Sequence, residues 1–234
     1  MFRLARIALV ALSIGSAAPP AGAAPRRPAV VQADAAEEAA EPASDDAVRV
    51  TDWVIASGDN EGLPFIVIDK VAAQVSVFDA EGGFVGWTPA LLGIASGDES
   101  TPGIGDRDLA SMGPEEKTTP AGRFLARYGT APGGHSVLWV DYANAVALHP
   151  VVTGTRSERR LQRLRSPTSS DNRITFGCIN VPAAFYAQVI RPLFGADGGI
   201  VYILPETRPV EALFPRVAAR PDAPARPWLG TKSM

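Results

Sequence analysis

The chain has 234 residues, enough for one substantial domain with tails and too few for two of ordinary size. Its 22 Lys and Arg against 25 Asp and Glu leave a formal charge of -3, which argues against a nucleic-acid partner, because phosphate polymers are held by a surplus of basic side chains. Hydrophobic residues at 46% suit a globular chain, whereas 22 Gly and 21 Pro call for many turns or long irregular ends.

Met1 to Ala23 carry the three parts of a secretory signal: Arg3 and Arg6, the apolar run Ile7 to Ile14, and Ala21-Gly22-Ala23 at an A-x-A cleavage site. The run is far shorter than the roughly 20 residues that span a bilayer. The reading is an exported chain of the periplasm or cell envelope, with no transmembrane anchor after cleavage. Residues 24–50, rich in Ala, Pro and acids and without an apolar period, read as a flexible linker. A domain follows over 51–205. Phe65 to Asp69 and Gln74 to Phe78 are β-branched runs, the second alternating apolar and polar as a half-buried strand does. Glu81-Gly82-Gly83 turns the chain into Phe84 to Trp87, and Ala90 to Ile94 continues extended. Ala95 to Lys117 is a long polar connection of the kind that forms a lid, a binding loop or a disordered stretch. Its Asp98, Asp106 and Asp108 match no oxygen-ligand loop and read as solvated carboxylates.

Further strands are expected at Gly122 to Tyr128, Val137 to Trp139, Ala145 to His149, Ile174 to Cys178 and Ile200 to Leu204. Helical signals are few: Ser157 to Leu164, with Ser157 as a cap, and Pro182 to Val189, with Pro182 in its first turn. Residues 206–234 form a Pro-rich tail that either lies along the domain through Phe214 or Trp228 or hangs loose. The sum is a mainly β fold with a few helices.

An exported protein enters an oxidising compartment, where cysteines pair, yet Cys178 is the only cysteine. It is a buried inert thiol, an intermolecular link or a reactive group. Its setting, Ile174-Thr175-Phe176-Gly177-Cys178-Ile179-Asn180 and then Pro182, reads as a strand that ends at a glycine, presents the cysteine at an exposed edge and leads into a helix. Gly177 has no Cβ, which permits a tight turn and close approach of an acyl group. The amides of Gly177 and Cys178 are candidate oxyanion donors. A thiol of ordinary pKa is mostly protonated at neutral pH and needs a base. Of the two histidines, His135 follows Gly133-Gly134 at a loop edge, while His149 ends the apolar run Ala145 to Leu148, 29 residues before Cys178. That spacing suits two adjacent strands joined by a loop and a helix.

In order along the chain, the strand pair Phe65 to Phe78, Thr119-Pro120-Ala121-Gly122-Arg123-Phe124, Ala147-Leu148-His149 and Thr175-Phe176-Gly177-Cys178-Ile179-Asn180 resemble the catalytic domain of the L,D-transpeptidases, the YkuD-type fold of barrel-like or sandwiched β-sheets with a few helices. The resemblance spans residues 65–204. It implies that Cys178 attacks the L,D-peptide carbonyl of a peptidoglycan tetrapeptide stem and expels D-alanine. A thioester remains, and it passes to an amine on a neighbouring stem. His149 would form an ion pair with the thiol or act as its base, and the Pro150 carbonyl would be the third partner. Hydrolysis on the same scaffold and a catalytically weak peptidoglycan-binding module are the alternatives. Partners implied are peptidoglycan stem peptides and envelope proteins attached to peptidoglycan.

The family commonly has Gly or Ser where Pro150 stands, and often a second His where Phe176 stands. Thr175 and Phe176 are then expected beside the substrate, and Asn180, where many relatives carry Arg, is expected to orient the loop or the substrate. Arg173, five residues before Cys178, is a candidate for the stem's carboxylates or an ordinary surface residue. The insertion Thr153 to Asn172, with Arg156, Arg159, Arg160, Arg163 and Arg165, reads as a solvated basic face. With no zinc spacing and no phosphate-binding glycine loop, neither a metal nor a cofactor is expected.

Overall fold

The computed structural model describes residues 43–195 and 197–217. The expected signal over 1–23, most of the linker and the tail from 218, Trp228 included, lie outside the described residues. Among those described, the strands are β1 (Phe65–Asp69), β2 (Gln74–Phe78), β3 (Phe84–Pro89), β4 (Leu92–Gly93), β5 (Gly122–Thr130), β6 (Ser136–Asp141), β7 (Val146–Pro150), β8 (Arg173–Thr175), β9 (Ile179–Val181) and β10 (Gly199–Ile203). One sheet has the order β3-β2-β1-β10-β5-β6-β7-β9, and β4 pairs with β8. The fold is mainly β, as expected.

β1 is an unbroken apolar run because both its faces are covered. Phe65 and Val67 enter one core with Phe78, Ile200 and Tyr202, while Ile66 and Ile68 enter the other with Val75, Val77, Val201 and Ile203. β10 alternates in step with β1, its parallel neighbour. The larger core is covered by Ala183–Phe185, a π-helical turn over Tyr186–Ile190 and Arg191–Phe194, which run on as one helix. Pro192 has no N–H to continue the α-helical ladder, and the wider turn lies just before it. The sheet comes close to closing on itself. After β3, at one edge, Leu91 exchanges two backbone hydrogen bonds of 2.8 and 2.9 Å with Asn180 of β9, at the other edge.

The linker and tail boundaries need correction. Residues 45–50, assigned to the flexible linker, belong to helix α1 (Asp45–Ser57), which packs Ala47, Val50 and Val54 into the second core. Ser44 caps it by accepting from the Ala47 amide, and Gly58 ends it in a left-handed conformation with φ 68°. At the other end, Val210, Phe214 and Val217 are buried in the same core, so the folded unit continues past 205. Glu206, Thr207 and Arg208 reach a buried ionic cluster: the ammonium of Lys70 donates to Asp98 at 2.9 Å and to the Thr119 carbonyl at 3.0 Å. Asp98 also accepts from the backbone amides of Glu206 and Thr207. It is therefore a structural anchor rather than a solvated carboxylate. Among the described residues no helix is long and apolar enough to cross a membrane.

Candidate active site

β7 and β9 run parallel, with Leu148 opposite Ile179, His149 opposite Asn180 and Pro150 opposite Val181. Residues opposite one another share a face of the sheet, so the register puts Asn180 and His149 on one side. Cys178 stands immediately before β9, and its thiol reaches the Ala145 carbonyl just ahead of β7. The expected single strand Ile174 to Cys178 is instead split. Arg173–Thr175 pairs with β4, the chain turns through Phe176 and Gly177, and the next strand begins at Ile179. Asn180 is consequently a buried strand residue and not part of a loop into the helix.

The turn that carries the thiol is built by two threonines. Thr175 Oγ1 donates to the Cys178 carbonyl at 2.6 Å and accepts from the Gly177 amide at 3.2 Å. Thr119 Oγ1 donates to the Gly177 carbonyl at 2.9 Å and accepts from the Gly93 amide at 2.9 Å. Gly177 has φ 124°, and a Cβ there would lie 2.7 Å from the Thr118 carbonyl oxygen, so the glycine is required by conformation and by space. The Gly177 amide is already taken by Thr175, which leaves the Cys178 amide as the remaining oxyanion-donor candidate of the two.

The imidazole of His149 has both nitrogens engaged. Nδ1 lies 2.8 Å from the Pro150 carbonyl oxygen, and Nε2 lies 3.0 Å from Asn180 Nδ2. The half-buried Cys178 thiol donates to the Ala145 carbonyl at 3.6 Å. Thiol and imidazole therefore each hydrogen-bond to other groups and not to one another. Burial pushes the Cys178 thiol above its ordinary value, against the Ala147 amide and the Arg160 guanidinium, which favour the thiolate. Burial likewise pushes His149 below its ordinary value, and Arg160 adds to that effect, while the Pro150 carbonyl opposes it. Both groups are thus biased toward their neutral forms. Of the two roles that the resemblance implies for His149, ion-pair partner or base, this bias favours the base.

No family model and no curated protein matches this sequence. Among solved structures the chain is similar to the crystal structure of the L,D-transpeptidase (residues 123-326) from Xylanimonas cellulosilytica DSM 15894, at 15% identity and a TM-score of 0.36. The match covers 60% of this chain and 60% of that one, less than two thirds of either.

The sequence-predicted residues separate into two groups. Cys178, Gly177, His149, Pro150 and Asn180 come together. Arg173 does not join them: its guanidinium pairs with Glu206 and donates to the Lys70 carbonyl, which commits it to the buried cluster and removes it from carboxylate recognition. Thr175, expected at the substrate, is 3% exposed and holds the turn instead. Phe176 is 39% exposed beside the thiol, with Lys117 Nζ 3.9 Å above its ring. His135 is exposed in the β5–β6 turn.

Arg160 departs from the solvated face expected of the insertion and turns inward. Its side chain is 14% exposed, and Nη1 donates to Asn180 Oδ1 at 2.8 Å. Nor does Ser157 cap a helix here. A 3-10 turn over Arg156–Glu158 is followed by the short helix α2 (Arg160–Arg163), with Arg159 between them at φ 48°. A run of five arginines gives no signal as to which one turns inward.

Proposed function

We propose that this chain is an exported cysteine acyltransferase of the bacterial envelope, an L,D-transpeptidase acting on peptidoglycan tetrapeptide stems. The observation that carries this reading is the β7–β9 register. It aligns His149 with Asn180, two residues after the lone cysteine, and the histidine's Nδ1 lies on the carbonyl of the next residue, an arrangement that supports the reading. In the proposed reaction the Asn180 amide first releases His149 Nε2, and the thiol rotates from the Ala145 carbonyl to that nitrogen and gives up its proton there. The sulfur attacks the L,D-peptide carbonyl while the Cys178 amide donates to the oxyanion. His149 then returns the proton to the departing amine of D-alanine, and the C–N bond breaks to leave a thioester on Cys178. The neighbouring stem's amine attacks the thioester, loses a proton to His149, and frees the thiol.

Neutral thiol and neutral imidazole suit this general-base route, because the base must be unprotonated to begin. The test is turnover of a disaccharide tetrapeptide by the purified protein, with free D-alanine and crosslinked dimer as products. Cys178→Ser and His149→Ala are expected to lose most turnover while staying folded. Wild-type turnover in both variants would overturn the assignment, and free tripeptide in place of dimer would assign hydrolysis.

A further inference from the structure

Four hydrogen bonds in series run from a carboxylate through the imidazole to a backbone carbonyl. Arg160 Nε donates to Glu158 Oε2 at 2.6 Å and Nη1 donates to Asn180 Oδ1 at 2.8 Å. Asn180 Nδ2 meets His149 Nε2 at 3.0 Å, and His149 Nδ1 lies 2.8 Å from the Pro150 carbonyl oxygen. The direction of the series is set at Arg160. A guanidinium offers donors only, so it must face the oxygen of the Asn180 amide, which turns the NH2 group toward the ring. That NH2 group donates, so Nε2 must offer its lone pair, and the ring proton sits on Nδ1, where the Pro150 carbonyl accepts it. With the amide reversed, Oδ1 would face Nε2 and require a proton on the nitrogen that has to receive one from the thiol.

We propose that Arg160 is a positioning residue of the thiol–imidazole site: by fixing the orientation of the Asn180 amide it keeps His149 in the Nδ1–H form, with an unprotonated Nε2 whose lone pair becomes available once the Asn180 amide releases it. The proposal rests on reading the site as a thiol–imidazole centre and adds a residue that neither motif contains. The backbone supports the assignment. Arg159 stands in the left-handed region, rare for a residue with a side chain, and this break separates the preceding turn from α2. Arg159 is exposed on the outside of the break and Arg160 reaches inward to Asn180. The ionisable groups gathered at the site are Cys178, His149, Arg160 and Glu158. Arg160 is the cation among them whose charge favours the thiolate and disfavours the imidazolium.

The test uses the whole mature chain and no substrate. Ring 15N NMR separates His149 from His135, the only other histidine, by loss of one set of signals in His149→Ala. Wild type is expected to show a protonated Nδ1 and a bare Nε2. Arg160→Met, which keeps the length of the side chain and removes its donors, is expected to give a mixture of the two tautomers. Its Cys178 alkylation by iodoacetamide at pH 7 should be about threefold to tenfold slower, since one unit in thiol pKa changes the thiolate fraction tenfold. Arg160→Lys, still a donor-only cation, should retain the wild-type tautomer. Asn180→Asp, which places a carboxylate on Nε2, should move the proton to Nε2. Wild-type ring shifts and alkylation in Arg160→Met would overturn the proposal, as would Arg160→Lys behaving like Arg160→Met. If Arg160→Met does not fold, the Arg160→Lys and Asn180→Asp results decide. Because every readout is substrate-free, an Arg160-dependent tautomer without peptide turnover would sink the proposed function and leave this assignment standing.

Discussion

Replacing Thr119 by valine removes one hydroxyl and almost no volume, so it isolates what that hydroxyl does. Thr119 is fully buried, and its Oγ1 bridges the Gly93 amide and the Gly177 carbonyl at 2.9 Å each. Both glycines are themselves buried, so valine would leave an N–H and a C=O unpaired away from water. Each such loss costs about 1–3 kcal/mol, and the valine methyl returns part of that, so the net destabilisation should be about 2–4 kcal/mol. With a urea slope of about 2 kcal/mol/M, the midpoint should fall by about 1–2 M. The same hydroxyl holds the turn that presents Cys178, so alkylation of the thiol should slow at urea concentrations where the variant is still folded. Thr119→Ser keeps the bridge and should lose less than about 1 kcal/mol. A valine variant within about 0.5 kcal/mol of wild type, or no worse than serine, would refute the claim that Thr119 couples its segment to the cysteine turn.

Two further outcomes follow from the charged groups. In the proposed reaction His149 has to be neutral to take the thiol proton, and burial holds its pKa below the ordinary 6.5. The acid limb of kcat/KM should therefore have its midpoint below 6.5; a midpoint above it would mean that the imidazolium is favoured in the folded protein. For Asp98, burial alone pushes the carboxyl up, but hydrogen bonds from Thr207, Lys70 and the Glu206 amide outweigh it and hold the group well below its ordinary 3.8. A depressed carboxyl contributes stability that is present above its unfolded pKa and is lost as pH falls through the folded one. Asp98→Asn should accordingly be less stable than wild type by about 3 kcal/mol at pH 7, with the gap shrinking as pH falls below 3.8. A gap that is constant with pH in urea titrations would contradict this.

The sheet was legible because its strands are short apolar runs with clear punctuation. Phe65 to Asp69 and Ile200 to Leu204 are continuous because two cores cover them, and the alternation in Gln74 to Phe78 matches its mixed faces. The candidate pair was easy to name from the sequence, because one cysteine and two histidines leave few pairs to consider. What escaped is of two kinds. Helix α1 has a readable cap at Ser44 and apolar residues at 47, 50 and 54 at helical spacing, but the Ala- and acid-rich composition upstream obscured them. Arg160, Arg173 and Thr175 could not be assigned by spacing, because their roles depend on which neighbour the fold supplies. Arg173 meets Glu206 from beyond the expected domain end, and Arg160 meets Asn180 across the insertion. The same holds for the Gly177 amide, whose use by Thr175 is a property of the turn and leaves no trace in composition.

Formation of an acyl-enzyme is tested by intact-mass spectrometry of the folded protein after incubation with a disaccharide tetrapeptide stem. A covalent adduct of the stem less its terminal D-alanine is expected, located at Cys178 by peptide mapping and absent in Cys178→Ser. A folded protein that releases D-alanine with no adduct at any time point, or that carries the adduct on a residue other than Cys178, would contradict it.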